Sequence, residues 1–136
     1  MSTTAFLAAL DAAVPGAGAD PRRLDGLDAF AFVSEVVAPA YLDALRAAAA
    51  GAPGAADRVE RLSAAVEAGF AGDEDGLVDA LAMRLVERYL CRDAALLAVA
   101  RPHLGPATLG VVTKLGHLIS EADRSVAARR EAASGR

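Results

Sequence analysis

Apolar residues recur along this chain at spacings of three and four, the period of a helix that buries one face. Phe6, Leu7, Leu10 and Val14 form the first such stripe. The pattern predicts a helix from about Thr4 to Val14, capped by Thr3 or Thr4 and stopped at Pro15-Gly16. Pro15 to Gly26 has the composition of a linker and carries Arg22-Arg23 exposed within it. A second helix starts near Leu27, with Phe30, Val33, Val37 and Tyr41 on one stripe and Asp28 and Glu35 roughly opposite. Pro39 is expected to kink or divide it, because proline removes one hydrogen bond and disfavours the helical conformation at Ala38. Gly51-Ala52-Pro53-Gly54 ends this helix after about Ala50. A third helix, about Ala55 to Phe70, places Val59, Leu62, Val66 and Phe70 inward. It sets Asp57 and Arg61 for an i,i+4 pair on its wet side, and Gly69 and Gly72 bracket its end.

The fourth helix, Leu77 to Leu90, is apolar over more than half of its circumference. Only a strip of Ala80, Arg84, Glu87, Arg88 and Cys91 reads as wet, so this is the predicted central helix. Arg92-Asp93 opens a fifth segment that stops at Pro102. Gly105-Pro106 opens a sixth, with Leu109, Val112, Leu115 and Ile119 on its apolar face. From Arg124 the pattern fades into a polar, frayed tail. The expected fold is all-α: one domain over residues 1–123 with five to six helices, antiparallel hairpins forming a bundle or helical-repeat-like stack, then a tail over 124–136.

Composition narrows the classes of function. The hydrophobic share is 54%, and its excess is nearly all alanine, the strongest helix former and one that lets helices approach closely. Coding bias accounts for much of it, since Lys114 is the only lysine. The net charge of −4 is uneven. From Arg124 onward, Arg124, Arg129, Arg130 and Arg136 stand against Glu131, a balance of +3, which leaves −7 on the rest. An acidic body repels phosphate, and with no Trp and 4% aromatics there is little on which bases would stack. Nucleic-acid binding is therefore disfavoured. Asp93 to Ile119 has the outline of a helix-turn-helix, but its second helix would present Lys114 and His117 without Arg, Asn or Gln to read bases. Cys91 is alone, no stretch reads as a signal peptide, and no apolar run approaches the ~18 residues of a membrane span. A cytoplasmic location with no membrane partner is expected.

Ala71-Gly72-Asp73-Glu74-Asp75-Gly76 invites a calcium reading, which fails on spacing. Counted from Asp73, the fifth, sixth and twelfth positions are Leu77, Val78 and Arg84. Helix capping explains the cluster better, with Asp73 accepting from free amides and Glu74 and Asp75 complementing the dipole. Asp79 is harder to place. On a helical wheel it falls between Val86 and Leu90, where a carboxylate would need a partner. His103 and His117 have no carboxylate or Cys at metal-ligand spacing. Ser34 has no glycine elbow, and the glycines form neither a phosphate loop nor a dinucleotide fingerprint. Cys91 follows Arg84 and Arg88 and precedes Arg92, a setting that lowers a thiol pKa where the thiol is exposed. No catalytic constellation, metal site or cofactor site emerges.

Gly72-Asp73-Glu74-Asp75, a long helix carrying Asp79 and Glu87, and Leu104-Gly105-Pro106 opening the last helix together resemble small uncharacterised bacterial all-helical domains. Some of these are immunity-like partners of secreted toxins. The resemblance covers roughly Phe30 to Leu115. It implies a partner-binding protein without catalysis, with Asp79 and Glu87 as matched positions. The expectation is a non-enzymatic protein–protein interaction domain with an acidic contact face, in its most concrete form an immunity-type partner of a basic protein. Asp79, Glu87, Arg84 and Arg88 are the candidate interface or buried polar residues. A homodimer sharing an Ala and Leu seam is compatible with this. The alternative is a small-molecule-binding domain with a pocket between the second and fourth helices, near Phe30, Tyr41 and Tyr89.

Overall fold

The computed structural model describes residues 2–17, 27–72 and 74–134. Six helices and no strands occur among them: α1 (Ser2–Ala13), α2 (27–49), α3 (Ala55–Phe70), α4 (75–90), α5 (Ala94–Ala100) with a 3₁₀ turn at Arg101–His103, and α6 (Pro106–Ser134). The all-α bundle is thus as the periodicity predicts. The expected linker around Arg22-Arg23 and the expected cap Asp73 lie outside the described residues. No helix is long and apolar enough to cross a membrane among the described residues.

The hub is α3, which corrects the expectation that α4 is central. It packs against α1, α2, α4, α6 and the 3₁₀ turn. Eight of its sixteen residues are buried, Ala55, Val59, Leu62, Ser63, Ala65, Val66, Gly69 and Phe70. Gly69 and Gly72 bracket the end of α3 at Phe70 as expected, and an added Cβ at Gly69 would stand 2.6 Å from Leu81 Cδ1 and 3.2 Å from Phe6 Cδ1. The side chain missing at Gly69 therefore sets how closely α1 and α4 approach the hub. The predicted Asp57–Arg61 pair forms at 3.2 Å on the solvent side.

Helices α2 and α4 each contain a stretch closed by i→i+5 bonds, Val33–Val37 and Ala82–Leu90. The amide of Ala38 donates to Val33 O, and that of Cys91 to Val86 O. In α2 this widened turn ends immediately before Pro39, so the helix continues past the proline rather than dividing. Gly51 closes α2 in a Schellman motif, with φ +75°, Ala52 N–H donating to Ala47 O and Gly51 N–H to Ala48 O.

Three polar residues of α3, at helical spacing, tie down three other elements. The Ser63 hydroxyl meets the Tyr41 hydroxyl of α2 at 2.5 Å in the core. Glu60 pairs with His103 of the 3₁₀ turn. Glu67 caps α6: its carboxylate accepts from Ala107 N at 3.0 Å, Thr108 N at 2.9 Å and Thr108 Oγ1 at 2.9 Å. Gly105 has no side chain to cap with, and a Cβ there would run into the Glu67 carboxylate. The frayed tail expected from Arg124 is instead helical to Ser134. Alanine and arginine dominate that stretch, and both are strong helix formers.

Glu67→Ala removes the cap and is expected to lower unfolding free energy by about 1–2 kcal/mol in a urea titration. Gly105→Ala should cost a similar amount by displacing the same carboxylate. The double variant should lose clearly less than the sum, because both changes abolish one interaction.

Candidate functional site

The exposed residues of α4 and its C-terminal end are Asp75, Asp79, Met83, Arg88 and Arg92; the buried ones are Leu77, Ala80, Leu81, Leu85, Val86 and Leu90. These repeats run at four to five residues, longer than an α-helical period, because Ala82–Leu90 is wound with i→i+5 bonds. The wet strip is accordingly displaced from the one predicted. Asp79 is exposed, which corrects its placement in the apolar arc: Val86 and Leu90 share its side of a 3.6-residue wheel and leave it once the turns widen. Ala80, expected to be wet, is fully buried, and Met83, expected to be apolar-facing, is 51% exposed.

Arg84, Glu87, Arg88 and Arg92 come together with Met83 around one open hollow of about 420 Å³. The Arg84 guanidinium lies over the Phe30 ring at 5.6 Å, and Arg88 lies over Tyr89 at 5.6 Å, both within cation–π range. Arg84 Nε is shut off from solvent and has no hydrogen-bond acceptor among the described residues. Sequence reasoning placed these arginines on a wet strip but missed the stacking, which joins residues 54 positions apart.

The three aromatic residues proposed to line a pocket are otherwise engaged. Phe30 underlies Arg84, Tyr89 underlies Arg88, and Tyr41 is fully buried with its hydroxyl on Ser63. The buried ring facing inward beside Val33 is Phe32, not Phe30, which stays half-exposed. The hollows at α4 and α6 are lined by other residues.

Cys91 is half-buried and its thiol faces Val112 O at 3.8 Å. Burial pushes the thiol pKa up, against a smaller lowering by Arg92 and a further rise from Glu87. The arginine strip therefore does not activate it. His117 is exposed on α6, and His103 is engaged by Glu60. Glu74 occupies the cap position of α4 without a side-chain bond, while Asp75 lies in the first turn. No group of three or more His, Cys, Asp or Glu able to hold a metal occurs among the described residues.

The least supported part of the structure is α6. Only Thr108 and Val112 are buried over its 29 residues, and every described residue from Ser120 onward is exposed. Leu118 is 52% and Val126 45% exposed. Two shallow hollows flank its middle. One is lined by Cys91, Leu97 and Arg101 across from Val112 and Gly116, the other by Glu87 and Arg92 across from Leu115, Leu118 and Ala122. No protein-family model, curated protein or solved structure matches this chain.

Tyr41 has its pKa pushed up to about 12, chiefly by burial, with the Ser63 bond lowering and nearby Glu60 raising it. A tyrosine that ionises later in the folded state contributes stability fully present below its unfolded value of 10.0, and that contribution is lost as pH rises toward about 12. Stability should therefore fall across this window, and Tyr41→Phe should flatten the fall; chemical denaturation at stepped alkaline pH measures it. For Cys91, the rate of maleimide labelling of the folded protein should reach half its alkaline plateau above the ordinary thiol value of 9.0, and at that ordinary value once unfolded.

Proposed function

We propose that this chain is a non-enzymatic protein-interaction domain whose contact element is the free half of α6. One observation carries the reading. Thr108, Val112, Leu115, Ile119, Ala122 and Val126 follow a continuous 4-3-4-3-4 seam. The body covers the start of that seam, and solvent meets its end. A seam of this period is the pattern by which one helix packs on another. Fifteen residues of unsupported helix are marginal alone in water, and a partner would stabilise them.

The exposed carboxylates of the body, Asp28, Asp75 and Asp79 among them, stand on α2 and α4 where these two helices pack on each other. They suit a basic protein, and an immunity-type role toward one is the most concrete form of the proposal. Electrostatic attraction would then quicken association at low salt.

The test uses the full chain as bait in extract of its native cell, beside the double variant Ala122→Glu, Val126→Glu, which places charge on the exposed end of the seam. A partner retained in equimolar amount by the natural chain and lost by the variant, with the melting temperature of the body unchanged, is the expected result. Equal retention by both, or no stoichiometric partner at all, rules out α6 as the contact element.

A further inference from the structure

From the arginine-lined hollow on α4 we infer a binding site for a compact oxyanion bearing several phosphate or carboxylate groups. Arg84, Arg88 and Arg92 stand four residues apart, and all three line the same hollow of about 420 Å³. Arg84 and Arg88 lie one turn apart within the widened stretch Ala82–Leu90, and Arg92 stands just past its end. None of the three makes an ion pair with a carboxylate among the described residues, although Glu87 stands on the same wall.

Basic residues near the end of a helix also complement its dipole, which accounts for Arg88 and Arg92. It does not account for Arg84, two turns earlier. That guanidinium lies over the Phe30 ring at 5.6 Å, with its Nε closed off from water and without an acceptor among the described residues. A buried donor left without a partner costs stability, and the cation–π contact with Phe30 holds the guanidinium in place before any ligand arrives. A preset guanidinium fork beside two further arginines matches the paired oxygens of a phosphate or carboxylate group. Met83, half exposed, adds an apolar rim on which the carbon part of such a ligand would rest. Three arginines against Glu87 leave a local balance of +2, set in a body that is otherwise acidic. The inference does not rest on the contact assigned to α6, although Glu87 and Arg92 also face Leu115, Leu118 and Ala122 across a neighbouring hollow.

Titration calorimetry of the full chain at low salt, with inorganic pyrophosphate, citrate and a hexaglutamate peptide as separate probes, tests the site. The side-chain Nε–H signal of Arg84 in nitrogen–proton spectra reports occupancy directly. Saturable one-to-one binding is expected for at least one probe, with that signal shifting in step. Arg84→Gln and, separately, the exposed Arg88→Gln should each lower affinity roughly tenfold. Glu87→Gln should raise it. Pyrophosphate against citrate separates phosphate from carboxylate chemistry. Binding of the peptide alone identifies an acidic protein segment as the source of the oxyanions. The site is overturned if no probe binds saturably at millimolar concentration, or if both arginine variants bind as the natural chain does.

Discussion

The fold hangs on one polar stripe along α3: Glu60, Ser63 and Glu67. Each uses its hydrogen-bonding capacity on a different element, Glu60 on the 3₁₀ turn, Ser63 on α2 and Glu67 on the first turn of α6. Hydrophobic burial gathers the helices but is non-directional, so it fixes neither register nor the point where a helix begins. The Glu67 bonds do fix such a point. Pro106 has no amide, Ala107 and Thr108 donate to Glu67, and Leu109 donates to Gly105 O, the first bond within the helix. Every amide of that first turn is thereby satisfied, two of them by a carboxylate 40 and 41 residues upstream.

Much of this architecture is legible in the sequence, for identifiable reasons. The bounds of α3 follow from glycines on either side and a 3.6-residue repeat between them, and Asp93 is readable as a cap because it is local to the helix it caps, accepting from Ala95 N and Leu96 N. Glu67 is not readable in that way. Its spacing from Glu60 and Ser63 is that of any solvated helix face, and its partners lie forty residues away. The same distance hides the stacking of Arg84 on Phe30. Local signals identify elements; contacts between elements are made by residues whose own surroundings in sequence look ordinary.

The misplacement of Asp79 has a different origin, since its signal was present and its period misjudged. Leu77, Leu81, Leu85 and Leu90 are spaced 4, 4 and 5, which is too long for an α-helix and right for one that widens midway. Reading them on a 3.6-residue wheel spreads the leucines over half the circumference and makes α4 look apolar all round. Wound as it is, the same helix has a narrow buried side and a continuous wet one. Along that wet side the carboxylates Asp75 and Asp79 come first and Arg88 and Arg92 last, an order that suits the helix dipole at both ends. The widened turns thus hold Leu85 and Leu90 on the core while Arg84 and Arg88 line one hollow with Arg92.

The free half of α6 raises a question of balance. Ordering one residue costs roughly 1–2 kcal/mol of backbone entropy, which a lone helix recovers only barely through its own hydrogen bonds. Over the stretch from Ser120, packing contributes little, because every described residue there is exposed. Helix propensity and a nucleus already formed at Pro106 must therefore hold it, and the Glu67 cap supplies that nucleus. The costly first turn is prepared on the body, and each further residue only extends an existing helix. A cap buried at one end of a helix thus lets the other end stand out in solvent with its apolar seam uncovered. A contact element needs that reach, and an ordinary core helix does not.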